Sequence, residues 1–236
     1  MSGILVLAET RRGELREVSL ELVSAAREVK DAAGERLAVA VIGADAERFA
    51  DDLAAEGVDE VLTVVAPVAH FEAHIWERAL GSLIESEQPV LVLAGHTIDS
   101  LGFVPAVAAS AGLGFASDVT AISWADGLRA RRGAYGDKLQ AELEFPGKAC
   151  TLLTLRPGIF PVASPGGGST PARSVGGYST EGSGRCPHAI LSDYGVRSAV
   201  VDRAFLTCGL FVVVPDRRRG ESSLPRSRPP SASQRA

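Results

Sequence analysis

Apolar positions along this chain fall into two kinds of pattern, short unbroken runs and helical periodicities. Residues 4–8 (Ile-Leu-Val-Leu-Ala) are apolar without a break and end at Glu9 and Thr10. A run that short, with no polar alternation, predicts a strand buried on both faces. The pattern then changes. Val18, Leu22, Ala25, Ala26 and Val29 recur at helical spacing over 17–33, and Gly34 closes the helix as its C-cap. The same unit returns along the chain, with apolar strands predicted at 37–42, 60–65 and 89–94. Helices are predicted at 46–55, at 71–86, and from the loop 95–100 to residue 111. Strand and helix alternating with short connections predict an α/β fold. It is a Rossmann-like, mostly parallel sheet with right-handed crossovers and helices on both faces.

After Gly114 the rhythm is different. Segments 117–124, 128–132, 138–145 and 149–155 are strand-like and separated by turn signals such as Ala-Asp-Gly and Phe-Pro-Gly. Strands that follow one another without helices predict antiparallel pairing, so a β-rich coda should extend the sheet. The α/β domain is expected over 1–163. Ser, Pro, Gly and Thr dominate 164–186, including three successive glycines at 166–168, which predicts a linker. A short segment, 187–214, holds some apolar material, and the Arg/Ser/Pro-rich end, 215–236, predicts an irregular, disordered tail.

Composition narrows the function classes. The net charge of −5 supplies none of the basic field that nucleic-acid binding requires. Three widely spaced cysteines, Cys150, Cys186 and Cys208, form no C-x-x-C pair, which argues against a disulfide framework and against zinc. His70 and His74 could share a helix face, but no third ligand lies nearby in sequence, so no metal site is expected. No apolar stretch is long enough to span a bilayer, and the start has no basic n-region, so a cytoplasmic protein without membrane insertion is expected. Cys150, inside an apolar strand, should be buried and inert.

One loop invites a chemical reading. Gly95-His96-Thr97-Ile98-Asp99-Ser100 follows the fourth strand and opens a helix. Backbone N–H groups at a helix start suit an anion, and ligands in open α/β sheets collect at the carboxyl ends of strands. His96, Thr97, Asp99 and Ser100 are therefore candidates to hold an anion or a nucleotide phosphate. The simpler alternative is that Asp99 or Ser100 caps the helix. No G-x-G-x-x-G fingerprint, Walker motif or G-x-S-x-G elbow is present, so no catalytic residue is assigned.

Four segments, in order, carry a family resemblance. They are the opening Ile4-Leu5-Val6-Leu7-Ala8-Glu9-Thr10-Arg11-Arg12-Gly13, and Val92-Leu93-Ala94-Gly95-His96-Thr97 running through Ala108-Ala109 to Ser117-Asp118-Val119-Thr120. Then come Arg132-Gly133-Ala134-Tyr135-Gly136-Asp137-Lys138-Leu139 and Leu153-Thr154-Leu155-Arg156-Pro157-Gly158-Ile159-Phe160. Together they resemble the amino-terminal domain of electron-transfer flavoprotein α subunits, the family that includes FixB. The resemblance implies the adenine-nucleotide-hydrolase-like superfold. It also implies an electron carrier rather than an enzyme, a heterodimer in which a β subunit is the partner. Flavin-dependent dehydrogenases would supply its electrons, and a quinone oxidoreductase or other acceptor would take them.

The family's cofactor is FAD, bound in a carboxy-terminal domain by S/T-R-x-x-V-D, Q-x-G-x-S/T-G and S-G-A-x-Q-H segments that have no counterpart after residue 165. AMP is expected only in the β partner. The chain is therefore expected to be an incomplete α subunit, through truncation, an internal deletion or a frameshift, that serves mainly as a docking scaffold, the alternative being a genuine short variant with its own tail. Arg156 is then a candidate contact to the flavin domain or the partner, or else an ordinary surface arginine. The alternative function is a stand-alone adenine-nucleotide-binding sensor of the same superfold.

Overall fold

The computed structural model describes residues 3–66, 68, 70–166 and 170–175. The expectations for 187–214 and 215–236 lie outside the described residues.

Among the described residues, nine strands form one sheet in the order β11-β5-β4-β1-β6-β10-β7-β8-β9. Its parallel heart is β5 (Glu60–Val65), β4 (Arg36–Gly43), β1 (Gly3–Ala8) and β6 (Leu91–Gly95). These are the four apolar runs, buried because helices cover both faces. In β1 the period of two sends Ile4, Val6 and Ala8 into one hydrophobic cluster and Leu5 and Leu7 into the other. The first cluster packs against α1 (Glu17–Ala33), which contributes Val18, Leu22, Ala25, Ala26 and Val29. The second packs against α3 (Ala73–Glu87) through Ile75, Leu80 and Leu83, and against α5 (Val104–Ser110) through Val104 and Val107. Gly34 ends α1 in the left-handed conformation at φ +66°, as its place in the sequence predicts.

The helix expected at 46–55 is a 3₁₀ turn (Ala46–Phe49) followed by the single helical turn α2 (Ala50–Leu53). After β1 the polar turn forms a small hairpin of β2 (Thr10–Arg11) and β3 (Glu14–Leu15).

The coda differs from its prediction in one strand. β7 (Gly114–Trp124), β8 (Leu128–Ala134) and β9 (Leu139–Glu144) are antiparallel neighbours, as expected. β10 (Thr151–Leu155) is not. It inserts between β6 and β7 and runs parallel to both. The reason lies in β7, whose first half pairs with β10 up to Val119 and whose second half pairs with β8 from Val119 onward. Trp124 and the turn at 126–127 share a cavity with Val90 and Thr151, at the amino-terminal ends of β6 and β10. The second half of β7 therefore runs back toward the edge where the strand began. Its reversal sits at Asp118, whose φ is +59°. Ile122, Leu128 and Ala130 join the cluster on the α1 face, so the returning hairpins cover that face rather than extending a flat sheet.

Within the span read as a linker, β11 (Ala172–Val175) pairs in parallel with β5. Arg173 fastens it through Glu60 at 2.8 Å and Glu87 at 2.7 Å. Among the described residues no helix is long and apolar enough to cross a membrane, and no three acidic, histidine or cysteine side chains cluster as a metal site. His74 faces Glu72 at 3.6 Å.

Candidate functional site at the carboxyl edge

The parallel strands β6 and β10 end side by side, and the residues that follow them build a polar cluster. His96 donates its backbone N–H to the carbonyl of Leu155 at 2.7 Å, which locks the two strand ends together. Arg156 leaves β10 and turns its guanidinium onto Asp118, with Nε to Oδ1 at 2.8 Å and Nη2 to Oδ2 at 2.7 Å. The other side of the guanidinium meets Asp137, Nη1 to Oδ2 at 3.2 Å and Nη2 to Oδ1 at 3.1 Å. A planar fork bidentate on two carboxylates is an arrangement that arginine alone can make.

Backbone conformation places both acids. Asp118 sits at the bulge of β7, where its left-handed φ turns the side chain toward Arg156. Asp137 closes the β8–β9 tip, where Tyr135, Gly136 and Asp137 have φ of +52°, +67° and +61°. Gly133 makes room: a Cβ there would lie 1.7 Å from Asp137 Oδ1, so only glycine fits beside the clamp.

Thr154 connects the clamp to His96. Its Oγ1 accepts the Asp118 N–H at 3.3 Å and lies 3.0 Å from His96 Nδ1. The hydroxyl can meet Nδ1 either as donor or through its second lone pair, so the contact joins Thr154 to the imidazole in either neutral tautomer. Burial holds the His96 pKa below the usual histidine value, and Arg132 and Arg156 push the same way against the attraction of Asp118. The guanidinium of Arg156 holds the Asp118 carboxyl below the usual carboxylate range, outweighing the opposing effect of burial. The cluster at neutral pH is thus a neutral imidazole beside the guanidinium groups of Arg132 and Arg156, the latter paired with two carboxylates. Ordered charges of this kind position loops and recognise surfaces. None is a free nucleophile.

Of the residues the sequence singles out, His96 and Arg156 converge through Thr154 and Asp118. Thr97 is the N-cap of the one-turn helix α4 (Ile98–Leu101), accepting the Ser100 N–H at 3.2 Å. The capping residue is therefore Thr97 and not Asp99 or Ser100. Ser100 is buried and accepts the Thr97 hydroxyl at 3.3 Å. Asp99 lines a different cavity, with Arg11 and Arg48. Sequence reasoning left out Asp118, Asp137 and Thr154 as site residues, although all three stand inside the segments that carry the family resemblance.

Exposed apolar side chains lie on the same edge as the clamp. Among the described residues the exposed large hydrophobic side chains are Ile98, Leu101, Tyr135, Leu139, Ile159 and Val162, with Ile98 at 89% and Tyr135 at 82% exposure. All lie on segments leaving the carboxyl edge: after β6, at the β8–β9 tip, or after β10. The loop after β10 is held in place by Glu21 of α1, which accepts the Gly158 N–H at 2.7 Å.

Comparison with known proteins agrees with this architecture. Residues 4–175 match the electron transfer flavoprotein domain family. The electron transfer flavoprotein subunit alpha of Methylophilus methylotrophus is 42% identical over 161 residues, covering 68% of this chain and 50% of that protein. Protein FixB of Clostridium saccharobutylicum is 33% identical over 162 residues, covering 67% of this chain and 48% of its own. The chain spans about half the length of the curated relatives it matches. It belongs to the electron transfer flavoprotein family, among the relatives named as α subunits and FixB.

Proposed function

We propose that this chain is the docking scaffold of an electron-transfer flavoprotein α subunit. It pairs with a β subunit in the relay that carries electrons from flavin dehydrogenases to a respiratory or other acceptor, and it performs no bond chemistry itself. The observation that carries this reading is the concentration of exposed apolar side chains at the carboxyl edge, around a clamp that fixes the loops bearing them. Isolated exposed apolar residues need no explanation, but their gathering on one edge marks an interaction surface.

FAD does not fit the described residues. A dinucleotide needs a glycine-rich turn whose backbone can approach the pyrophosphate. The turn after β6 has its glycine at Gly95, where a Cβ would meet Val18 Cγ2 at 2.9 Å, so that glycine serves packing against α1. The Arg156 guanidinium is likewise taken up by Asp118 and Asp137. No flavin step is assigned to these residues.

The test is to express the full chain alone and with an electron-transfer flavoprotein β subunit. The reading expects no stoichiometric flavin absorbance from the chain alone and a one-to-one complex by light scattering. Flavin co-purifying with the chain alone, or failure to form the complex, overturns it.

A further inference from the structure

The cavity at the amino-terminal ends of β6 and β10, about 480 Å³ in volume, lies on the edge of the sheet opposite the clamp. Val90 and Thr151 line it together with the β7–β8 turn and the turn that follows β9. A cavity of that size suits a small molecule.

Its frame is apolar and fixed. Trp124 and Phe145 line it and pack, half-buried, against the hydrophobic cluster on the α1 face. Gly114 leaves room for them at the start of β7, where a Cβ would lie 3.1 Å from Phe145 Cδ1 and 2.8 Å from Thr151 Oγ1. Trp124 pairs with Leu128, so Asp126 stands in the middle of a three-residue turn. Phe145-Pro146-Gly147-Lys148 forms a type II turn, with Gly147 at φ +73° and the Lys148 N–H donating to the Phe145 carbonyl at 3.3 Å.

Four charged side chains line the cavity, and two of them satisfy each other. Arg129 and Glu144 stand opposite on β8 and β9 and meet at 3.1 Å. Asp126 and Lys148 carry no ion pair among the described residues. Lys148 Nζ donates to the Gly112 carbonyl at 2.8 Å, which orients the ammonium without neutralising it. The cavity therefore holds one unmatched carboxylate and one unmatched ammonium beside two aromatic rings. A simple cation is attracted by Asp126 and repelled by Lys148, and a simple anion meets the reverse. A small molecule carrying both charges answers both, and an apolar group on it is buried against the rings.

We infer that this cavity binds a free α-amino acid with an apolar side chain. Its ammonium meets Asp126, its carboxylate meets Lys148, and its side chain packs on Trp124 and Phe145. The inference does not rest on the docking reading, which concerns the other edge of the sheet.

Calorimetric titration of the full chain with L-leucine, leucinamide and 4-methylpentanoate tests it. Leucinamide lacks the carboxylate and 4-methylpentanoate lacks the ammonium. Saturable leucine binding is expected, with each analogue weaker by about fivefold or more, the upper end for one part-exposed ion pair. Asp126→Asn and Lys148→Gln should each weaken leucine by a similar factor. Both side chains are exposed, so melting temperatures should not change. Trp76→Phe leaves Trp124 as the sole tryptophan, and leucine should then shift its fluorescence with the same saturation curve. Three results overturn the inference: no saturable leucine binding at millimolar concentration, either analogue binding as tightly as leucine, or undiminished leucine binding in either charge variant.

Discussion

Arg156 and Asp118 meet through two hydrogen bonds, at 2.8 and 2.7 Å, although they stand 38 positions apart in the chain. The pair joins the end of the parallel strand β10 to the bulge where β7 reverses. It therefore fixes the boundary between the parallel sheet and the antiparallel layer folded over it. Asp137 extends the same guanidinium to the β8–β9 tip, so one side chain holds three separate segments.

Replacing Arg156 with lysine tests whether the fork or only the charge matters. An ammonium can approach one carboxylate but cannot bridge two bidentately. Arg156→Lys should cost about 1–2 kcal/mol, within the range of a part-buried charge-assisted pair after allowance for solvent screening. The measurement is urea unfolding followed by circular dichroism. A lysine variant as stable as the parent would reduce the clamp to a simple surface ion pair.

Gly133 offers a sharper test, because its requirement depends on a single neighbour. With a Cβ at 1.7 Å from Asp137 Oδ1, Gly133→Ala must expel the Asp137 side chain from the clamp. Asp137→Ala removes the obstructing atoms. The double variant should then lose less than the sum of the single losses, with a coupling of about 1 kcal/mol or more in a double-mutant cycle. Additive losses would mean that Gly133 is needed for some other reason.

The sequence made the parallel heart of the sheet legible because strands buried on both faces leave apolar runs, and helices such as α1 leave a period ending in Gly34. It did not disclose where β10 belongs. Thr151-Leu152-Leu153-Thr154-Leu155 reads the same whether its neighbours run parallel or antiparallel, and only the reversal at Asp118 decides between them. Nor does residue spacing reveal that Asp118 adopts a left-handed conformation, since the aspartate is held there by Thr154 and Arg156 from distant segments. His96 is legible as a candidate from its loop, and Arg156 only through the family resemblance. Their convergence is not, because it depends on β6 and β10 being adjacent.

Cys150 gives a chemical check of the core. Burial pushes its thiol up to about 11, so the thiolate that alkylating reagents attack is scarce at pH 8. Iodoacetamide should leave Cys150 unmodified in the native protein and modify it fully in urea, as read by peptide mass spectrometry. Rapid native labelling would show that the segment before β10 opens easily.

Acidification should weaken the fold in two stages, the first set by His96 beside the clamp and the second by the clamp's Asp118 together with Asp59. The folded pKa of His96 is depressed, chiefly by burial and further by Arg132 and Arg156. The unfolded chain therefore binds the proton first, so stability present above about pH 6.5 declines as pH falls through 6.5 toward the folded value. The folded pKa of Asp118 is lowered by Arg156. Asp59 is lowered as well: burial alone would raise it, but Lys30, the Leu37 N–H and Arg36 together prevail. Their contributions are complete above the ordinary carboxylate range and disappear as pH falls below about 3.9. Melting temperatures between pH 7 and 5 should thus fall in the parent, and fall less in His96→Gln, which has no proton to gain in that window. Parallel curves for the two proteins would show that His96 is free to protonate in the folded state, contrary to its place between Thr154 and two guanidinium groups.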